Sequence, residues 1–147
     1  MFKKIFTVAA LMLSSVVFAH ATVKTEMGLS ESLAGKSETY RLQVPVEKDM
    51  ATTEIRMVVP EGVKVSRFMP VPGWTRTVEK DANDRILSVT WKGQLEPGEF
   101  IRFLFQATNP ASTGTLSWKV YQKYSDGTVV GWDDTSEGTP SSKVTLK

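Results

Sequence analysis

ETYRLQVPV, Glu38 to Val46, sets Tyr40, Leu42, Val44 and Val46 at alternate positions and fills the gaps with Arg41, Gln43 and Pro45. Side chains of a β-strand alternate between two faces, so this segment reads as a strand with one apolar face and one wet face. Working outward, the same period of two returns in TEIRMVV (53–59) with Ile55, Met57 and Val59, and in RILSVTW (85–91) with Leu87, Val89 and Trp91. EFIRFLFQA (99–107) offers Ile101 or Phe100 together with Phe103 and Phe105. TLSWKVYQKY (115–124) aligns Leu116, Trp118 and Val120, and KVTL (143–146) closes the chain. The runs are rich in β-branched and aromatic residues, and a helical period is missing from them.

Turn-forming clusters separate the runs: Pro60-Glu61-Gly62, Pro72-Gly73, Asp81-Ala82-Asn83-Asp84, Pro97-Gly98, Asn109-Pro110 and Asp126-Gly127. Seven or more short strands spaced about 10 residues apart predict an all-β fold, a single antiparallel β-sandwich of the cupredoxin or immunoglobulin-like kind. In YSDGTVV, Asp126 and Gly127 are expected to take the positive-φ positions of a tight hairpin. No repeat, low-complexity tract or linker interrupts the pattern, and 147 residues suit one domain with a real core.

Upstream, Lys3 and Lys4 precede an apolar run, Ile5 to Leu13, and Ser14 to Ala19 form a small-residue exit. This is the three-part pattern of a secretory signal peptide, too short for a membrane span. No cysteine follows the run, so lipoprotein anchoring is excluded. Two cuts fit the letters. Cleavage after Ala19 leaves His20 as the first residue, whereas cleavage after Ala21, where Ala19-His20-Ala21 is a literal A-x-A, discards it.

Charge and composition exclude several functions. The chain has 18 basic and 16 acidic side chains, and two lysines lie in the leader, so the mature protein is formally neutral and lacks the footprint of a nucleic-acid binder. With one histidine and no cysteine, thiolate sites, Cys nucleophiles and two-histidine metal sites within one chain are ruled out. A Ser-His-Asp triad would have to draw on His20 at the leader boundary, a poor place for a general base. Asp133-Asp134 lies beside glycines and reads as a solvated loop. Met27, Met50, Met57 and Met69 are dispersed and read as packing residues. Trp91 and Trp118 fall within strands and read as core; Trp74 and Trp132 follow glycines at loop edges, where each can plug the fold or wall a site.

One candidate remains. A terminal His20 would offer its α-amine and Nδ1 as two nitrogens from one residue, closing a chelate ring. Nitrogen donors in a tetragonal arrangement suit Cu(II).

AHATVK at the leader boundary, VPVEK (44–48), MVVPEGVKVSRFMPVPGW (57–74), VTWKG (89–93) and YQKYSDGTVVGW (121–132) occur in the order seen in the YcnI-like family, which the whole mature chain resembles. The resemblance implies a secreted copper-binding β-sandwich associated with copper homeostasis. It implies cleavage before His20, giving a signal peptide at 1–19 and a domain at 20–147, with the His20 amine and Nδ1 binding Cu(II) as a one-histidine brace. By motif position the ligand glutamate corresponds to Glu47, with Glu54 as the fallback, and the site tryptophan to Trp132. Many family members carry a membrane helix after the domain; no second apolar span precedes Lys147 here, so a free periplasmic or exported form is expected.

The leading expectation is a non-catalytic carrier of Cu(II) that exchanges its metal with a membrane copper transporter or another copper carrier. A polysaccharide-cleaving copper oxidase would need a second histidine. A module that binds carbohydrate or a protein partner through Trp74 and Trp132 is the alternative.

Overall fold

Each alternating run folds as a β-strand in the computed structural model, which describes residues 19–147. The signal-peptide reading of residues 1–19 lies outside the described residues except at Ala19. Eleven strands follow in chain order: β1 (Thr22–Thr25), β2 (Glu31–Ser32), β3 (Ser37–Pro45), β4 (Thr52–Val58), β5 (Lys64–Phe68), β6 (Thr75–Lys80), β7 (Ile86–Leu95), β8 (Phe100–Thr108), β9 (Gly114–Tyr124), β10 (Val129–Trp132) and β11 (Ser142–Leu146). No helix occurs among the described residues, so none is long and apolar enough to cross a membrane.

Two sheets face each other. One has the order β1-β3-β8-β5; the other runs β2-β11-β9-β4-β7-β6, with β10 also paired to β9. Pairing is antiparallel as expected, with one correction: the two residues of β2 run parallel to β11, through Thr145↔Glu31 and Leu146↔Ser32. β2 is reached by a short crossing from β1 in the opposite sheet, which delivers it alongside the last strand in the same direction.

The inward residues of β3 (Tyr40, Leu42, Val44) meet those of β4 and β9 (Ile55, Met57, Trp118, Val120), all fully buried. Tyr40 and Phe105 each lie 5.4 Å from the Trp118 ring, and Trp91 stacks on Phe103 at 4.4 Å. Removing these aromatic faces from water is the main stabilising term, and the ring geometry adds to it. Trp91, Trp118 and Met57 are core, as their strand positions predict.

Three local readings are corrected or decided. Leu87 turns outward, 38% exposed, because the β6–β7 register shifts between Glu79↔Ser88 and Lys80↔Ile86. That bulge inserts one residue and breaks the alternation, so Ser88 and Val89 are both buried. On β8, Ile101 packs against the core while Phe100 stays exposed. In the β9–β10 hairpin only Gly127 has positive φ, at +87°. Its amide donates to the Tyr124 carbonyl, so the turn is a type I turn followed by a left-handed glycine, and Asp126 stays in ordinary backbone space.

Gly93 shows why a strand can need a missing side chain. Trp74, carried by the turn before β6, lies over it, and a Cβ on Gly93 would sit 2.4 Å from Trp74 Cδ2. Phe103 meets the Trp74 ring edge-on at 5.4 Å, so the indole has little room to retreat. Gly93→Ala is therefore expected to destabilise the domain by about 1–3 kcal/mol, measured as a lower urea midpoint with unchanged slope.

Candidate metal centre

The N-terminal segment reaches the site by strand pairing. β1 pairs β3 with Thr22 opposite Gln43 and Val23 opposite Leu42. Continued two residues back, that register sets His20 beside Pro45 and points the chain at the loop after β3. The Ser142 hydroxyl fixes this edge, accepting from the Val23 amide at 2.8 Å and donating to the Val23 carbonyl at 3.0 Å. Ser142 belongs to β11, so one hydroxyl ties β1 to the opposite sheet.

His20 is exposed, and its ring lies 5.3 Å from that of Trp132, tilted by 45°. Glu47 is exposed on the loop after β3, and its Oε1 accepts from the Ala19 amide at 2.5 Å. Its carboxylate therefore contacts the backbone one residue before the His20 nitrogen. The fold thus brings His20, Glu47 and Trp132 to one edge of the sandwich. Glu54, the fallback, lies elsewhere: it sits on β4 opposite Lys92 and Lys123.

The loop carrying Glu47 is stitched to the β9–β10 hairpin carrying Trp132. Ser125 donates its amide to the Ala51 carbonyl at 2.9 Å, and Lys48 Nζ lies 3.4 Å from Thr128 Oγ1 and 4.6 Å from the centre of the Tyr124 ring. Burial pushes the Tyr124 phenol above its ordinary pKa, so it stays a neutral hydroxyl behind Glu47. Trp132 is only 6% exposed, and its indole N–H donates to Gln122 Oε1 at 3.3 Å.

Sequence reasoning missed Gln122, Thr52 and Ser142. The signal for Gln122 was present: it continues the buried register of Leu116, Trp118 and Val120, where a polar residue is out of place. Thr52 faces inward only because β4 shifts register between Thr52 and Glu54. Nothing in the letters marks that.

Asp133 and Asp134 do not enter the donor group. Asp133 accepts from the Tyr121 hydroxyl at 3.1 Å. Asp134 is held by the Ser141 hydroxyl and amide at 2.6 and 2.8 Å and by Lys143 at 3.1 Å. Those bonds, the Ser141 hydroxyl foremost, lower its pKa to about 2. A carboxylate whose pKa falls on folding keeps its contacts until the pH drops through that value, so this clasp on the 133–141 loop persists in mild acid.

Among the described residues, no three His, Asp or Glu side chains converge. Side chains alone therefore do not form a metal cage here. An amine freed at His20 would complete a set of two nitrogens and one carboxylate oxygen, the hard-to-borderline donors that suit a divalent copper ion.

Residues 20–145 match the family described as a domain of unknown function, DUF1775. The chain belongs to this family. The resemblance to YcnI-like proteins therefore holds over the whole DUF1775 domain. The "Copper-binding protein CutI" of Bacillus subtilis (strain 168) is 37% identical over 153 aligned positions, which cover 97% of this chain and 72% of that protein. A Nocardia farcinica protein of solved structure, described as having an immunoglobulin-like fold, superposes with a TM-score of 0.74 at 28% identity, covering 86% of this chain and 97% of that one. The human F-spondin reeler domain superposes at 0.53 with 13% identity over 88% of this chain and 93% of its own, a likeness of fold alone. The DUF1775 domain here is an immunoglobulin-like β-sandwich.

Proposed function

We propose that this protein is a non-catalytic, extracytoplasmic Cu(II)-binding protein that acts in copper homeostasis or as a metallochaperone. The observation that carries the reading is the meeting of His20, Glu47 and Trp132 at the start of β1, in a chain similar to a copper-binding protein. With the leader removed, the His20 amine and Nδ1 and the Glu47 carboxylate hold the metal, and Trp132 walls one side. His20 and Glu47 are both exposed, so an incoming ligand can reach the metal and replace them one at a time, as a carrier requires. The chemistry suits exchange with a membrane copper transporter or another copper carrier. The leader pattern supports a periplasmic or secreted location, and cleavage after Ala19 is the cut that frees the His20 amine.

The carbohydrate- or protein-binding reading gains less from the geometry. Trp132 is buried and Trp74 is half-buried over Gly93, so neither offers the open ring face that stacking on a sugar needs.

The test compares Cu(II) titrations of two chains, one beginning at His20 and one retaining Ala19. One added residue converts the amine into an amide and removes a nitrogen donor. The chain beginning at His20 is expected to bind tightly and the longer chain far more weakly. Equal affinities would rule out the terminal brace.

A further inference from the structure

Gln122 takes no part in the donor set, yet it is a polar side chain with no exposed surface in the middle of an apolar register. A buried primary amide is tolerated only when its groups are paired. Here each end is paired, and to a different segment. Nε2 donates to the Pro45 carbonyl at 2.8 Å and to Thr52 Oγ1 at 2.8 Å, and Oε1 accepts from the Trp132 indole at 3.3 Å. Pro45 ends β3 two residues before Glu47, Thr52 begins β4 at its bulge, and Trp132 ends β10. One side chain thus spans both ends of the loop that bears Glu47 and the indole that touches His20.

We infer that Gln122 is the positioning residue of the metal centre, fixing the Trp132 wall and the Glu47 loop relative to each other. The inference rests on the copper-binding reading above. No common residue replaces it. Leucine fills the space but leaves a buried indole N–H, a carbonyl and a hydroxyl unpaired. Glutamate supplies acceptors where Pro45 needs a donor. Asparagine is one methylene too short to reach all three partners. The β4 bulge belongs to the same device, because it turns Thr52 inward to meet the amide.

A matched control exists at the other end of the sandwich. Asn109 is also buried and fully bonded, accepting from the Tyr40 hydroxyl at 2.6 Å and donating to Ser32 Oγ at 3.0 Å and the Leu33 carbonyl at 2.9 Å. It follows β8 at the end away from Phe100 and Pro45 and should matter to stability only.

The experiment compares Gln122→Leu, Thr52→Val and Asn109→Leu in the chain beginning at His20. The readouts are Cu(II) affinity by competition, the electron paramagnetic resonance spectrum of the copper-bound form, thermal midpoint, and the His20 ring proton shifts of the metal-free protein. Those shifts report the distance and tilt of Trp132. Gln122→Leu is expected to weaken Cu(II) binding about 10–100-fold, the usual cost of losing a group that supports metal ligands. It should also alter the copper spectrum and move the His20 shifts. Thr52→Val should act in the same direction and more weakly, and it serves alone if Gln122→Leu does not fold. Asn109→Leu should lower the thermal midpoint and leave the other readouts unchanged.

If the position-122 and position-52 variants lose stability but keep the wild-type affinity, copper spectrum and His20 shifts, Gln122 is structural only and the inference fails. If the wild-type chain binds no Cu(II), the function proposed above fails. The metal-free His20 shifts then still decide whether Gln122 holds Trp132 in place.

Discussion

His20→Ala, in the chain beginning at residue 20, is expected to lower Cu(II) affinity by about 100-fold or more, or roughly 2.7 kcal/mol at ambient temperature. The substitution leaves the α-amine but removes the imidazole, and with it the chelate ring that makes two nitrogens available from one ordered residue. The loss should exceed the ~10–100-fold that follows from removing a group that merely supports a ligand. His20 is exposed and outside the strands, so the thermal midpoint of the metal-free protein should barely change. Glu47→Gln gives the graded comparison. It keeps an oxygen at the same place and drops the charge, so a smaller loss is expected. Competition titration with a chelator of known affinity measures both. An unchanged affinity for His20→Ala would place any copper elsewhere on the protein.

Phe103→Ala should be among the most damaging core substitutions, at about 3–5 kcal/mol. Phe103 is fully buried, stacks on Trp91 at 4.4 Å and meets Trp74 edge-on at 5.4 Å. Truncating it removes the ring from between two indoles that come from separate segments. The cavity cannot close easily, because Trp91 is held within β7 and Trp74 already lies over Gly93. A domain of this size has only about 5–15 kcal/mol of stability in all, so the variant should unfold at a much lower denaturant concentration. A midpoint close to wild type would show that the indoles collapse onto each other. Copper binding by the folded fraction should survive, since Phe103 touches neither His20 nor Trp132.

The two outcomes differ in how far the letters foresaw them. Phe103 was legible, because alternation in EFIRFLFQA marks it as inward. Its partners were only partly so. Trp91 follows from its own strand, but Trp74 sits in a turn, and no periodicity says that it folds back over Gly93. Leu87 shows the complementary failure: a single-residue bulge reversed a face that alternation had assigned with apparent clarity.

At the candidate site the division is the same. His20 stood out by elimination, as the single histidine in a chain without cysteine, and Glu47 and Trp132 followed from motif positions. The three are far apart along the chain, and their meeting depends on β1 pairing with the end of β3 and on β10 pairing with β9.

By itself, the sequence determined the class of fold, the inward face of most strands, and the exclusion of thiolate and two-histidine chemistry within one chain. Periodicity and composition are local properties, readable without knowing what a segment touches. The tertiary structure alone decided that one buried amide, Gln122, ties the Trp132 wall to the Glu47 loop, that Ser142 pins β1, and that Trp74 fills the space over Gly93. Each of these depends on contacts between distant segments, and those contacts are set by sheet register and by bulges that no single stretch of sequence announces.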